Sequence, residues 1–135
     1  MKHTPTLPVL LAASCVAALA TGCATPEKKL QEQGLAPLTA EQIVQQHSYD
    51  RTSTFSSTTG SSGQATFTAD GRIMVTWADG SDEGTWRIKG DQMCMTFKVI
   101  RGGAERCNKI YQTADNEYVQ ILDNGTIAST YSFTN

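Results

Sequence analysis

Apolar and polar residues follow three rhythms along the 135-residue chain. Leu7 to Ala20 (LPVLLAASCVAALA) is apolar throughout, too short to span a bilayer comfortably and placed as a secretory signal would be. Ala24 to Pro37 (ATPEKKLQEQGLAP) is polar, with prolines near both ends and Gly34 inside, which reads as a flexible tether. Leu38-Thr39-Ala40-Glu41-Gln42-Ile43 then carries a helix start. Thr39 is the N-cap, Gln42 completes a capping box, and Leu38 with Ile43 forms a hydrophobic staple. A short helix is predicted from Ala40 to His47, with Ala40, Ile43, Val44 and His47 on one face. That face is narrow, so the helix must pack on something larger.

From Tyr49 onward the period falls to two, and turn signals recur about every 8–12 residues. Strands are expected at Tyr49–Phe55, Gln64–Ala69, Ile73–Trp77, Gly84–Ile88, Met93–Val99, Cys107–Gln112, Tyr118–Leu122 and Ile127–Phe133. Turns are expected at the Ser56–Gly63 loop, Asp70-Gly71, Ala78–Asp82, Lys89-Gly90-Asp91, Gly102-Gly103, Ala114-Asp115-Asn116 and Asp123-Asn124-Gly125. The predicted fold class is mainly β: a seven- or eight-stranded antiparallel meander with one short N-terminal helix. One apolar and one polar strand face fits either a curved sheet or a small up-and-down barrel. Closure removes exposed edges, which favours the barrel. The expected organisation is a signal peptide at 1–22, an anchored tether at 23–37 and a single domain at 38–135, within the usual domain size.

The residues around the end of the apolar run change this picture. Leu19-Ala20-Thr21-Gly22-Cys23 resembles the lipobox of bacterial lipoproteins. The resemblance implies a diacylglyceryl group on the Cys23 thiol, cleavage before Cys23 and acylation of the new amine. Cys15 also follows small residues, but cleavage there would leave too short an apolar core. Two or more acyl chains anchor stably, and Ala24 after Cys23 resembles the signal for the outer membrane, with the domain in the periplasm. Removing Lys2 leaves 10 of the 11 basic residues against 13 acidic ones, a net charge of −3 with no basic block. Such a chain lacks the positive patch that nucleic-acid binding needs.

Of the four cysteines, Cys15 leaves with the signal and Cys23 takes the lipid. Cys94 and Cys107 remain as an even pair in an oxidising compartment, and a disulfide between them is expected. They flank the Gly102-Gly103 turn, so they can oppose each other on the sheet face away from Met93, Met95 and Phe97. Leu38–Ile43, Asp70-Gly71, Gly84-Thr85-Trp86-Arg87-Ile88, Gly90-Asp91, Cys94 and Glu105-Arg106-Cys107 together resemble a family of small exported bacterial domains of unknown function. Its pattern is a helix start, a D-G turn, G-x-W-x-[IV]-x-G-D-x-x-C and a second cysteine about a dozen residues on. The resemblance spans Leu38 to Asn135. It implies export and fold, and no activity.

Candidate chemistry is thin. His47-Ser48-Tyr49-Asp50 holds the one histidine of the processed chain, but adjacent residues at a helix end diverge, and a triad needs convergence. A cation at a helix C-terminus is favourable for ordinary reasons. Met74, Met93 and Met95 beside Cys94 invite copper(I), yet methionine is also a good core filler. Asp79, Asp82 and Glu83 read as a solvated acidic turn, short of a calcium loop. Phe67, Trp77, Trp86, Phe97, Tyr118 and Phe133 could line a cavity in an open barrel. Thr52 to Ser62 is a Ser/Thr-rich strand end and loop. No catalytic set, cofactor or metal is expected. The first expectation is a non-enzymatic envelope lipoprotein whose β-domain binds a protein or cell-wall partner. The alternatives are a lipocalin-like carrier of a small apolar ligand and an inhibitor of an envelope-attacking hydrolase.

Overall fold

The structure, a computed structural model, describes residues 24–47 and 49–134. The apolar run, Cys15 and Cys23 lie outside the described residues. Two helices, α1 (Pro26–Glu32) and α2 (Ala40–His47), precede eight strands: β1 (Arg51–Ser57), β2 (Ser62–Phe67), β3 (Arg72–Trp77), β4 (Gly80–Lys89), β5 (Gln92–Phe97), β6 (Arg106–Ala114), β7 (Glu117–Ile121) and β8 (Ile127–Thr134). Each strand pairs antiparallel with the next, and β8 returns to β1 from Thr52↔Thr134 to Ser57↔Ser129. The meander is therefore a closed barrel, in which every strand has a neighbour on both sides. Among the described residues, both helices pack against the barrel, and its two apolar clusters draw on helix, loop and strand residues alike.

The period-two pattern sets the inside of the barrel. Ala65, Phe67, Ile73, Val75, Met93, Met95, Phe97 and Ile110 form one buried cluster with Tyr118, Tyr131 and Phe133. Two glycines allow the wall to bend tightly. A Cβ at Gly63 would stand 1.8 Å from the Thr76 carbonyl oxygen, and one at Gly84 would stand 1.9 Å from that of Thr96. The glycine of the G-x-W motif is thus required by strand approach.

Helix α2 closes one end of the barrel. Its capping box is present: Thr39 N–H donates to Gln42 Oε1 at 2.9 Å and Gln42 N–H to Thr39 Oγ1 at 3.3 Å. Leu38 and Ile43, the staple pair, are both buried in the barrel cluster. Ile43 and His47 point into the barrel, whereas Val44, expected on the same face, is exposed. Only the narrow stripe of Ile43 and His47, one turn apart, is fully covered.

The segment read as a tether forms α1 instead, giving two helices rather than one. Thr25 caps it by accepting from Lys28 N–H, and Pro26 occupies the first turn. The helix lies on the outer wall, where Leu30 and Leu35 join Ile127 against Tyr111, Val119 and Ile121. Glu27 N–H donates to the Gly125 carbonyl at 3.0 Å. Lys109 Nζ and Tyr111 Oη donate to the buried Glu27 carboxylate at 2.7 and 2.8 Å. Partners more than eighty positions away hold a segment whose own composition is polar. Among the described residues, no helix is long and apolar enough to cross a membrane.

Candidate functional site

A meander places its turns alternately at the two ends of the barrel. The end opposite α2 carries the β1–β2 loop, the β3–β4 turn, the long β5–β6 connection and the β7–β8 turn. It opens into a cavity of about 430 Å³, within the range of small-molecule pockets. The wall is apolar, with Phe67, Ile73, Val75, Met95 and Phe97, and with Phe55 and Trp77. Ser57, Thr58, Thr59 and Ser61, from the Ser/Thr-rich run, also line it. Ser53, in the same run, is buried and faces inward.

The floor separates this cavity from α2. Tyr131 lines it, and the Tyr131 hydroxyl lies 3.2 Å from His47 Nε2. His47 Nδ1 lies 2.7 Å from the Ile43 carbonyl oxygen, so Nδ1 carries the proton and Nε2 accepts from the tyrosine. Phe67 and Phe133 meet the imidazole edge-on at 4.8 and 5.2 Å. Burial pushes the histidine pKa down to about 4, with the Arg51 charge adding to the effect against the opposing Ile43 hydrogen bond. Burial also raises the Tyr131 pKa. His47 is therefore a neutral floor residue and not the cation at a helix end that its position suggested.

Two arginines are the charged members of the cavity lining, which contains no acid. Arg106 begins β6 opposite Met95. Arg101 sits in the tight Ile100–Gly103 turn with φ 57° and ψ 26°. The turn is set by Asp82, whose carboxylate accepts from Val99 N–H at 2.9 Å and Ile100 N–H at 2.8 Å. These backbone donors, Ile100 foremost, hold the Asp82 pKa below its ordinary value. Arg101 Nη2 donates to the Met95 carbonyl at 3.2 Å, and its guanidinium lies 5.5 Å from the Phe97 ring centre. Burial lowers the pKa of both arginines, and for Arg101 the charge of Arg106 adds to this. Both remain cations at any physiological pH.

The other expected site residues are dispersed. Asp50 accepts from Ala69 N–H at 3.4 Å, away from the His47 hydrogen bonds, and Ser48 lies outside the described residues. Met93 and Met95 are core residues while Met74 is exposed on the outer wall, so the thioethers do not converge. Asp82 is not in a solvated turn: β4 begins at Gly80, and Val75 pairs with Asp82. Its hold on the following connection ends β5 at Phe97 and leaves Val99, expected on the apolar face, 75% exposed. Of the six aromatic residues expected around a cavity, Phe67, Trp77 and Phe97 line it. Tyr118 and Phe133 pack with Tyr131, and Trp86 packs against Phe67 and His47.

Cys94 and Cys107 are directly opposed and joined by a disulfide. Among the described residues the one grouping of possible metal donors is Cys94, Glu105 and Cys107. Its sulfurs are bonded to each other, and Arg87 holds Glu105 through two hydrogen bonds of 2.8 and 2.6 Å. Arg101, Arg106 and Asp82 were missed as a set by sequence reasoning. The one local signal was an arginine immediately before two glycines in a turn. Compared with known proteins, the chain matches no family model, no curated protein and no solved structure.

Proposed function

We propose that the chain is a lipid-anchored envelope protein, held by Cys23, whose barrel binds a small, largely apolar ligand. The single observation that carries this reading is the aromatic-walled cavity of about 430 Å³, open at one end and floored at the other. Small barrels whose interiors serve only as a core are filled by side chains. Here Ile43 and His47 of α2 pack with barrel aromatics at one end, and the other end is open. This supports the carrier reading over docking to a protein or cell-wall partner. Among the described residues the large exposed apolar side chains, Val44, Tyr49, Met74 and Val99, are spread over a helix, a linker, a strand and a loop, and single exposed residues of this kind need no partner. The proposed role is binding, with the domain on the periplasmic side of the outer membrane; the apolar run and the resemblance to a lipobox at Cys23 support that placement.

The test uses the chain from Ala24 to Asn135 recovered from an oxidising periplasm. Native mass spectrometry should find a small molecule bound, and a fluorescent apolar probe should displace it. Ala65 lies on the cavity wall, so Ala65→Phe should fill the space and abolish probe binding with the thermal transition still cooperative. A wild-type chain that carries no ligand and takes up no apolar probe would end this reading.

A further inference from the structure

The cavity has a charge that an apolar ligand leaves unanswered. Arg101 and Arg106 face a space with no acid on its lining. The Nε atom of each is buried without a hydrogen-bond partner. Among the described residues neither guanidinium is ion-paired with a carboxylate; the four ion pairs involve Arg72, Arg87, Lys98 and Lys109. Asp82, the acid that reaches this connection, is occupied by the backbone N–H groups of Glu83, Val99 and Ile100. Partly buried charge without a counter-charge is costly, and the two like charges are close enough to oppose each other.

The backbone adds a second cost at the same place. Arg101, Gly102 and Gly103 all have positive φ, at 57°, 63° and 81°. Glycine adopts this conformation freely, whereas a residue with a Cβ does so under strain. Strain of this kind clusters at binding sites. The Phe97 ring and the Met95 carbonyl each engage part of the Arg101 guanidinium, but its Nε is still unsatisfied. An anion between the two guanidinium groups would supply the missing counter-charge, offset the repulsion between the arginines and offer oxygens to their unsatisfied Nε atoms.

We propose that the ligand is an amphiphile with one anionic head, a carboxylate or a phosphate monoester. Its apolar chain occupies the barrel and its head is bound by Arg101 and Arg106. This rests on the carrier reading above. The forked N–H donors of arginine match the oxygens of both head types.

The experiment is isothermal titration calorimetry on the disulfide-bonded chain beginning at Ala24. The probes are laurate, lauroyl lysophosphatidate, dodecanol and dodecyltrimethylammonium, each below its micelle concentration. At least one anionic probe should bind about tenfold or more tightly than dodecanol, the equivalent of one charge-assisted hydrogen bond. The ammonium should bind weakest. Laurate ranking first names a free fatty acid as the source, and lysophosphatidate ranking first names a membrane-derived lipid. The paired change Arg101→Gln and Arg106→Gln should bring the anions down to the dodecanol level and leave dodecanol unchanged, and Arg106→Lys should keep part of the preference. Should the glutamine pair fail to fold, the ranking on the unmodified chain decides. Equal affinity for dodecanol and both anions overturns the anion site and leaves the carrier reading standing. No binding by any of the four probes removes the carrier reading itself.

Discussion

His47 shows how much one side chain depends on its surroundings. Its folded pKa is about 4, against 6.5 for an unperturbed histidine, so the unfolded chain takes up the proton first as pH falls. Stability from a neutral His47 is fully present above about pH 6.5. It is lost on the way down to about pH 4. Between pH 7 and pH 5 the loss should be about 2 kcal/mol in the urea unfolding free energy. His47→Gln, which cannot titrate, should flatten that part of the profile; an unchanged slope would show that another group carries it. The same residue looked like a possible base or a helix-end cation in the sequence. Its burial depends on Phe67, Tyr131 and Phe133, which only barrel closure brings to it.

At the scale of elements, legibility followed the range of the forces involved. The strands were readable because alternation is local, and α2 was readable because its box and staple lie within six residues. Helix α1 was not, although Thr25 as N-cap and Pro26 behind it were genuine start signals. Its apolar contacts and its buried carboxylate wait for β6, β7 and β8. Burial alone would raise the Glu27 pKa, and hydrogen bonds from Lys109 and Tyr111 outweigh it, so the group stays ionised. Glu27→Ala would strand Lys109 and the Tyr111 hydroxyl at a cost of about 1 kcal/mol, the low end for a charged partner that is partly exposed. Hydrogen exchange should then quicken in the α1 amides while the barrel amides keep their rates. Equal acceleration of both would mean that α1 is integral to the barrel's own cooperativity. The cavity arginines were illegible for the same reason as α1: Arg101 and Arg106 acquire meaning only when β1, β2, β3 and β8 complete the cavity wall around them.

For the whole molecule, closure makes the weakest seam decisive. Strands β5 and β6 share three residue pairs, Met93↔Asn108, Cys94↔Cys107 and Met95↔Arg106, whereas β1 and β8 share six. The disulfide crosses the middle of that short seam and constrains a separation of 13 residues. Reduction should lower stability by about 3 kcal/mol, with the amides of β5 and β6 the first to exchange. Uniform loss of protection would show that the staple acts on the unfolded chain alone. The route of the N-terminal segment carries a different consequence. Glu27 bonds to Gly125 in the β7–β8 turn, so the chain joins the barrel at its open end. The anchor proposed on Cys23 would be attached two residues, at most about 7 Å of chain, before Thr25. A lipidated protein would then rest mouth-down on the leaflet, more a berth than a ferry. Under the proposed anchor and carrier role, a membrane-derived ligand would then pass between bilayer and barrel without crossing open water.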